Sequence, residues 1–146
     1  MACLGLVADA TDPMALHYRH LAASIARQLK IGKTMEEVLL DRARGYTCSI
    51  FDPVTGGKHC ALGGTSYDFY VTSTLASQAP PAVGRALGIA LANRLLDENG
   101  TSGKRPNFPI DAVSIVSVGD GSINNSMFLS AANMADYARN RNFKCP

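Results

Sequence analysis

Residues 112–118, Ala-Val-Ser-Ile-Val-Ser-Val, form a run rich in β-branched residues that breaks into Gly119-Asp120-Gly121 and then into a helical pattern. No other feature constrains the fold as much. Its apolar positions do not alternate strictly, which suits a strand covered on both faces, as in a parallel sheet. The helix that follows carries Met127, Ala131, Met134 and Ala138 on its inner face. Strand, glycine-bearing turn and helix make half of a βαβ unit, so the expected class is α/β. The other half does not follow, because the sequence reaches Lys144-Cys145-Pro146 where a next strand should begin.

The remainder reads mostly as helix. Asp12-Pro13 predicts a helix start, a capping side chain before a proline, with Met14, Tyr18, Leu21, Ile25 and Leu29 on one face and Gly32 closing it. Thr34-Met35-Glu36-Glu37 is a capping box that opens a second helix, bearing Val38 and Leu39 and stopping near Gly45. Pro80-Pro81 opens a third, in which Val83, Leu87, Leu91 and Leu95 recur every fourth residue among small side chains. That small-sided helix is expected to be central. Between the second and third helices, residues 52–59 and 62–65 are turn chemistry, and residues 68–72 suit a short extended piece. With one convincing strand, association with a partner is expected, since an unpaired strand edge is otherwise exposed.

Composition narrows the classes. The 146 residues are 47% apolar and 18% charged, which is a globular balance for one domain. A net charge of +2, with its basic residues scattered, argues against nucleic acid or an anionic membrane as partner. No apolar run approaches spanning length, and the first residues lack the basic flank of a signal peptide, so a cytoplasmic protein is expected. Cys3, Cys48, Cys60 and Cys145 show no Cys-x-x-Cys pairing and read as free thiols of a reducing compartment.

A carboxylate at a strand end needs a reason. Ligands of open α/β sheets bind beyond the carboxyl ends of the strands, where the next helix offers free N–H groups to phosphate. Asp120 repels phosphate, so it belongs there only with a cation between them, and Mg²⁺ is the usual ion bridging carboxylate to phosphate. Gly121 lets backbone approach the phosphate without a side chain in the way. The competing reading is structural: a tight turn in which Asp120 caps the following helix. The tripeptide alone leaves both open.

The flanks favour the first. Gly119-Asp120-Gly121-Ser122-Ile123-Asn124, followed by Phe128, Ala131, Asn133 and Ala135, resembles the first half of the thiamine diphosphate motif. The family resembled is the decarboxylating component of the 2-oxo acid dehydrogenases, alpha subunit or alpha-like half. Upstream, residues 73–84, Ser-Thr-Leu-Ala-Ser-Gln-Ala-Pro-Pro-Ala-Val-Gly, resemble the segment that lies against the cofactor there. Their form is closest to the branched-chain (2-oxoisovalerate) type, in which Ala76 replaces the glycine of the pyruvate type. His59 also stands where branched-chain relatives carry a histidine.

The resemblance implies a helix-rich N-terminal part of a thiamine diphosphate-binding fold, a parallel sheet flanked by helices, incomplete. It implies that Asp120 ligates Mg²⁺, that Gly119, Gly121 and Ser122 sit against the diphosphate, and that Ser73 and Leu75 line the pyrimidine side. Thr72, Thr74, Ser77 and Gln78 match a structural potassium site, although hydroxyls near a loop also serve as turn stabilisers. The family's motif closes on a later Asn-Asn pair that completes the metal site. Asn124-Asn125 is not that pair, because it falls in the first turn of the helix. The 146 residues therefore read as one partial domain, the diphosphate and Mg²⁺ side, ending before the second half of the motif.

The activity implied is oxidative decarboxylation of a 2-oxo acid with acyl transfer to lipoamide. The glutamate that activates the cofactor would come from a beta subunit or beta-like half, and the acyl group would pass to a lipoyl-bearing acyltransferase. The chain alone is expected to be inactive and to work in a homo- or hetero-oligomer. Two other classes stand beside this one: a non-catalytic assembly module that keeps the fold without the cofactor, and an unrelated Mg²⁺-phosphate enzyme. The match at residues 73–84 disfavours the last.

Overall fold

The computed structural model describes residues 1–52, 56–57, 67–68, 74–99 and 108–146, with side chains to residue 95 in the long helix. In chain order these residues form α1 (Ala2–Val7), β1 (Met14–Ala15), α2 (Leu21–Lys30), α3 (Met35–Tyr46), α4 (Ala79–Asn99), β2 (Ile115–Val116) and α5 (Ser126–Asn140). Short 3₁₀ turns, Tyr18–His20 and Asp120–Ser122, lead into α2 and towards α5. The class is α/β and helix-rich, as expected.

The sheet has a partner strand that the sequence pattern concealed. β1 and β2 lie parallel, Met14 beside Ile115 and Ala15 beside Val116. Ile115 N–H donates to Pro13 O at 2.9 Å and Ser117 N–H to Ala15 O at 3.0 Å, the slanted spacing of a parallel pair. The expected helix from Asp12 is thus wrong in its first half. Asp12 does not cap a helix: its carboxylate accepts from Asp9 N–H at 2.8 Å and from Val113 N–H, 101 positions on, at 2.8 Å. Met14, Ala15 and Leu16 are buried consecutively, which is strand behaviour rather than helical periodicity. β2 is shorter than the apolar run that predicted it, and Val116 is 39% exposed, so described residues cover it on one face only.

Ala8, Met14, Ala15, Leu16, Ala23 and Ala82 form the core, with Leu4, Leu21 and Ile115 packed against it. α1 lies directly on the α2 backbone at Gly5, where an added Cβ would stand 1.9 Å from Ala23 O. α3 opens as predicted: Thr34 Oγ1 accepts from Glu37 N–H, and the Glu37 carboxylate accepts from Thr34 N–H at 2.7 Å.

α4 packs over the sheet and is central, by its small-sided face. Ala79, Ala82, Ala86 and Ile89 are buried, whereas Leu91 and Leu95 are exposed. The small side chains let the helix approach the strands, and Ser114 Oγ donates to Ala82 O at 2.9 Å across that contact. Of the larger side chains, Val83 and Leu87 are half-buried and only Leu91 and Leu95 are left outside. In α5 the inner face holds Ala131 and Ala138, while Met127 is exposed.

Candidate functional site at the carboxyl ends of the strands

The parallel pairing brings two polar segments side by side. β1 runs into His17-Tyr18-Arg19-His20, and β2 runs into Ser117-Val118-Gly119-Asp120. Ser117, almost fully buried, joins the pieces. Its hydroxyl accepts from His17 N–H at 2.8 Å, and its carbonyl accepts from the Gln78 side-chain amide at 2.8 Å. The end of β1, the end of β2 and the start of α4 therefore meet at one residue.

Beyond Ser117 the chain turns tightly. Ser122 N–H donates to Gly119 O at 2.9 Å and Ile123 N–H to Asp120 O at 3.3 Å, closing the 3₁₀ turn. Among described residues the N–H groups of Asp120 and Gly121 take part in no backbone hydrogen bond. A Cβ added at Gly121 would meet nothing within 4 Å, so this edge of the turn is open. Asp120 is exposed. Its carboxylate caps nothing: the turn has no side-chain cap, and α5 is capped by Asn125, whose Oδ1 accepts from Met127 N–H at 2.9 Å. The structural reading of the tripeptide, Asp120 as helix cap, is overturned. The Asn pair moves as well, from the first turn of the helix to the positions just before it.

His17 was not among the residues singled out from the sequence. Its imidazole stands beside the turn, with Nε2 3.9 Å from where a Gly119 Cβ would be. Nδ1 accepts from Arg19 N–H at 3.2 Å. Burial lowers the pKa of His17 from its ordinary value, and the neighbouring charges of His20 and Arg19 lower it further. The signal that could have found it is the same in both strands: an apolar run, Met14-Ala15-Leu16, that stops at polar residues.

The other site residues are placed unevenly. Leu75 is exposed in the turn before α4, and Ala76 beside it is buried with φ +56°. Gln78 is buried and bound to Ser117, while Thr74 O accepts from Ser77 N–H at 3.1 Å. Ser73, Thr72 and His59, and the extended piece expected at residues 68–72 apart from Asp68, lie outside the described residues. Cys3, Cys48 and Cys145 are free thiols, as expected, and Cys60 lies outside the described residues. No group of three or more His, Cys, Asp or Glu among the described residues could hold a metal ion. A single open carboxylate beside two free N–H groups does suit Mg²⁺ held jointly with phosphate oxygens, since that ion takes one or two carboxylates and keeps its other positions for phosphate and water.

No described helix is long and apolar enough to cross a membrane. No curated protein and no solved structure matches the chain. Residues 4–141, however, match the family model described as the dehydrogenase E1 component. That match runs through α1 to α5 and includes both strand ends, so the chain belongs to the dehydrogenase E1 component family, the thiamine diphosphate-dependent components of 2-oxo acid dehydrogenases.

Proposed function

We propose that this chain holds the diphosphate and Mg²⁺ of thiamine diphosphate in a branched-chain-type 2-oxo acid dehydrogenase, a cytoplasmic enzyme that transfers the acyl product to lipoamide. The observation that carries the reading is the Asp120 carboxylate, exposed and uncommitted beside the free N–H groups of Asp120 and Gly121. Asp120 supplies the charge for the metal, and the Gly119–Ser122 turn supplies donors to the phosphate oxygens. When bound, the cofactor supplies the carbanion chemistry, and the protein contributes orientation and proton transfer.

Ser73 and Leu75 lie on the pyrimidine side in this reading, and Gln78 keeps its carbonyl oxygen for a potassium ion shared with Thr72, Thr74 and Ser77. The chain alone turns over no substrate. The activating glutamate comes from a beta subunit or beta-like half, and a lipoyl-bearing acyltransferase receives the product.

Calorimetric titration of thiamine diphosphate with Mg²⁺ tests the reading. The wild-type chain binds the pair together and neither tightly alone. Asp120→Ala weakens binding about 100-fold, the upper end of what losing even an outer-shell partner costs a metal site. No binding by the wild type, or equal binding by Asp120→Ala, defeats the proposal, and the first of these results favours a non-catalytic assembly module.

A further inference from the structure

We infer that the outer face of α3 seats a second copy of this chain, the two helices packing antiparallel about a two-fold axis midway between Leu40 and Asp41. The inference is independent of the diphosphate site, none of whose residues lies on α3.

The amphipathicity of α3 is reversed. Its inner face puts Val38, Asp41 and Gly45 against the rest of the fold. Asp41 is buried there, and its carboxylate accepts from the Gln28 amide at 3.0 Å and from Lys33 Nζ. The outer face carries Met35, Leu39, Leu40, Ala43 and Tyr46, and the four large side chains are each half exposed or more. Ile50 and Phe51, in the turn that follows, are more exposed still. Single exposed apolar residues are ordinary, but a helix that hides a carboxylate and shows neighbouring leucines presents an interaction surface.

The charges at the two ends of the face select its occupant. The first turn is acidic, with Glu36 and Glu37, and the last turn holds Arg44. Glu37 and Arg44 lie about two turns apart on one flank, and Met35 and Tyr46 about three turns apart on the other. Both pairs share one midpoint, between Leu40 and Asp41. A two-fold axis there, at right angles to the helix, sets Glu37 against Arg44 of the second copy, Met35 against its Tyr46, and leucines against leucines. An isologous contact needs such a self-complementary surface. Ala43 on the outer face leaves room for the backbones to approach, and antiparallel helix dipoles oppose favourably.

The other orientation is rejected. A parallel pair would set Glu37 beside Glu37 and Arg44 beside Arg44. Glu37 already accepts from Thr34 N–H, and Arg44 holds Asp41 at 3.5 Å, but Glu37 is exposed, Arg44 partly so, and each keeps further hydrogen-bonding positions. A face for an unlike partner has no need of this symmetry.

Sedimentation equilibrium of the full chain over a range of concentrations tests the inference. A reversible monomer–dimer equilibrium in the micromolar range is expected, since one helix face is small for an interface. Leu39→Glu, on the solvent side of the helix, weakens the dimer about 30-fold or more, the scale of a central contact residue. Arg44→Glu and Glu37→Lys each dimerise about 10-fold more weakly than wild type, because each sets like charges across the axis. Mixed together, these two variants form a heterodimer of wild-type affinity, since every charge again faces its opposite. Glu37→Lys also gives up the capping box, so circular dichroism and the urea midpoint of each variant are measured alongside, and the wild-type measurement needs no substitution.

A wild-type chain that stays monomeric overturns the inference. So does a dimer that Leu39→Glu leaves unchanged, or a pair of folded variants that does not recover on mixing. A monomer whose α3 amides become protected only when an unlike subunit is added overturns it too, and gives the face to that partner. None of these results touches the diphosphate reading, and Asp120→Ala leaves the dimer in place.

Discussion

At the scale of single residues, the segment leading into α4 stores its constraint in Ala76. Its φ of +56° lies in the left-handed region, yet it carries a Cβ and is buried. Three neighbours fix it there: Ser77 N–H bonds to Thr74 O, Ala79 N–H to Ala76 O, and Gln78 to Ser117 O. A β-branched side chain adds a second γ atom against the following carbonyl in this conformation. Ala76→Val is therefore expected to lower stability by about 2 kcal/mol, combining αL strain with overpacking. Ala76→Gly relieves the strain but frees the unfolded chain and loses a buried methyl, so it falls within about 1 kcal/mol of wild type. Urea denaturation of the two variants checks the pair. If valine proves as harmless as glycine, the left-handed turn is not what holds Gln78 in place.

At the scale of elements, α1 depends on one missing atom. Gly5 sits against the α2 backbone, and a Cβ there would lie 1.9 Å from Ala23 O, a backbone atom that cannot rotate away. Gly5→Ala is expected to displace α1 and cost about 2–3 kcal/mol, the upper range for forcing one carbon into a packed contact. Amide exchange in α1 and α2 should rise together, since Leu4 shares the core with Ala23 and Leu21.

Elements whose rules are local were legible in the sequence. The capping box at Thr34 and the glycine-bearing turn at Asp120 each lie within a few residues. β1 was not legible, because Asp12-Pro13 satisfies the local grammar of a helix start. What decided against the helix was a distant donor, Val113 N–H, which takes the Asp12 carboxylate. The same blindness hid half of the candidate site. Asp120 announces itself between two glycines, but His17 gains its meaning only when β1 is laid beside β2. The small side chains of α4 were legible as a sign of close approach, and the strands under it do admit alanines, with Leu91 and Leu95 left facing outward.

At the scale of the whole molecule, these elements are held in register by a charge where the size of the core would suggest none. Arg27 has no exposed surface. Its guanidinium donates to Asp12 O at the entry of β1 and to the Asp68 carboxylate, which also accepts from Met14 N–H at 3.2 Å. Asp12 in turn receives Val113 N–H from the approach to β2. One buried cation thus links α2, both strands and Asp68, which is far from either strand in sequence. Removing it takes one cation away from a largely buried carboxylate, and breaking such a pair costs about 3–5 kcal/mol. A domain of ordinary stability has only about 5–15 kcal/mol to lose.

Arg27→Ala is therefore expected to bring the urea midpoint down sharply. Arg27→Met with Asp68→Asn, which fills the volume and removes the buried carboxylate's charge, should recover most of the loss, giving a favourable coupling in the double-mutant comparison. Cofactor affinity offers a second readout, since the end of β1 is tied to the approach of the turn at Ser117. In the repaired double variant, stability returns and the junction at Ser117 re-forms, so magnesium pyrophosphate binding should return with it. If stability returns without binding, Arg27 sets the alignment of the strand ends as well as the fold. If Arg27→Ala alone unfolds at the wild-type midpoint, the register of β1 and β2 is held by apolar packing and the network around Arg27 is incidental.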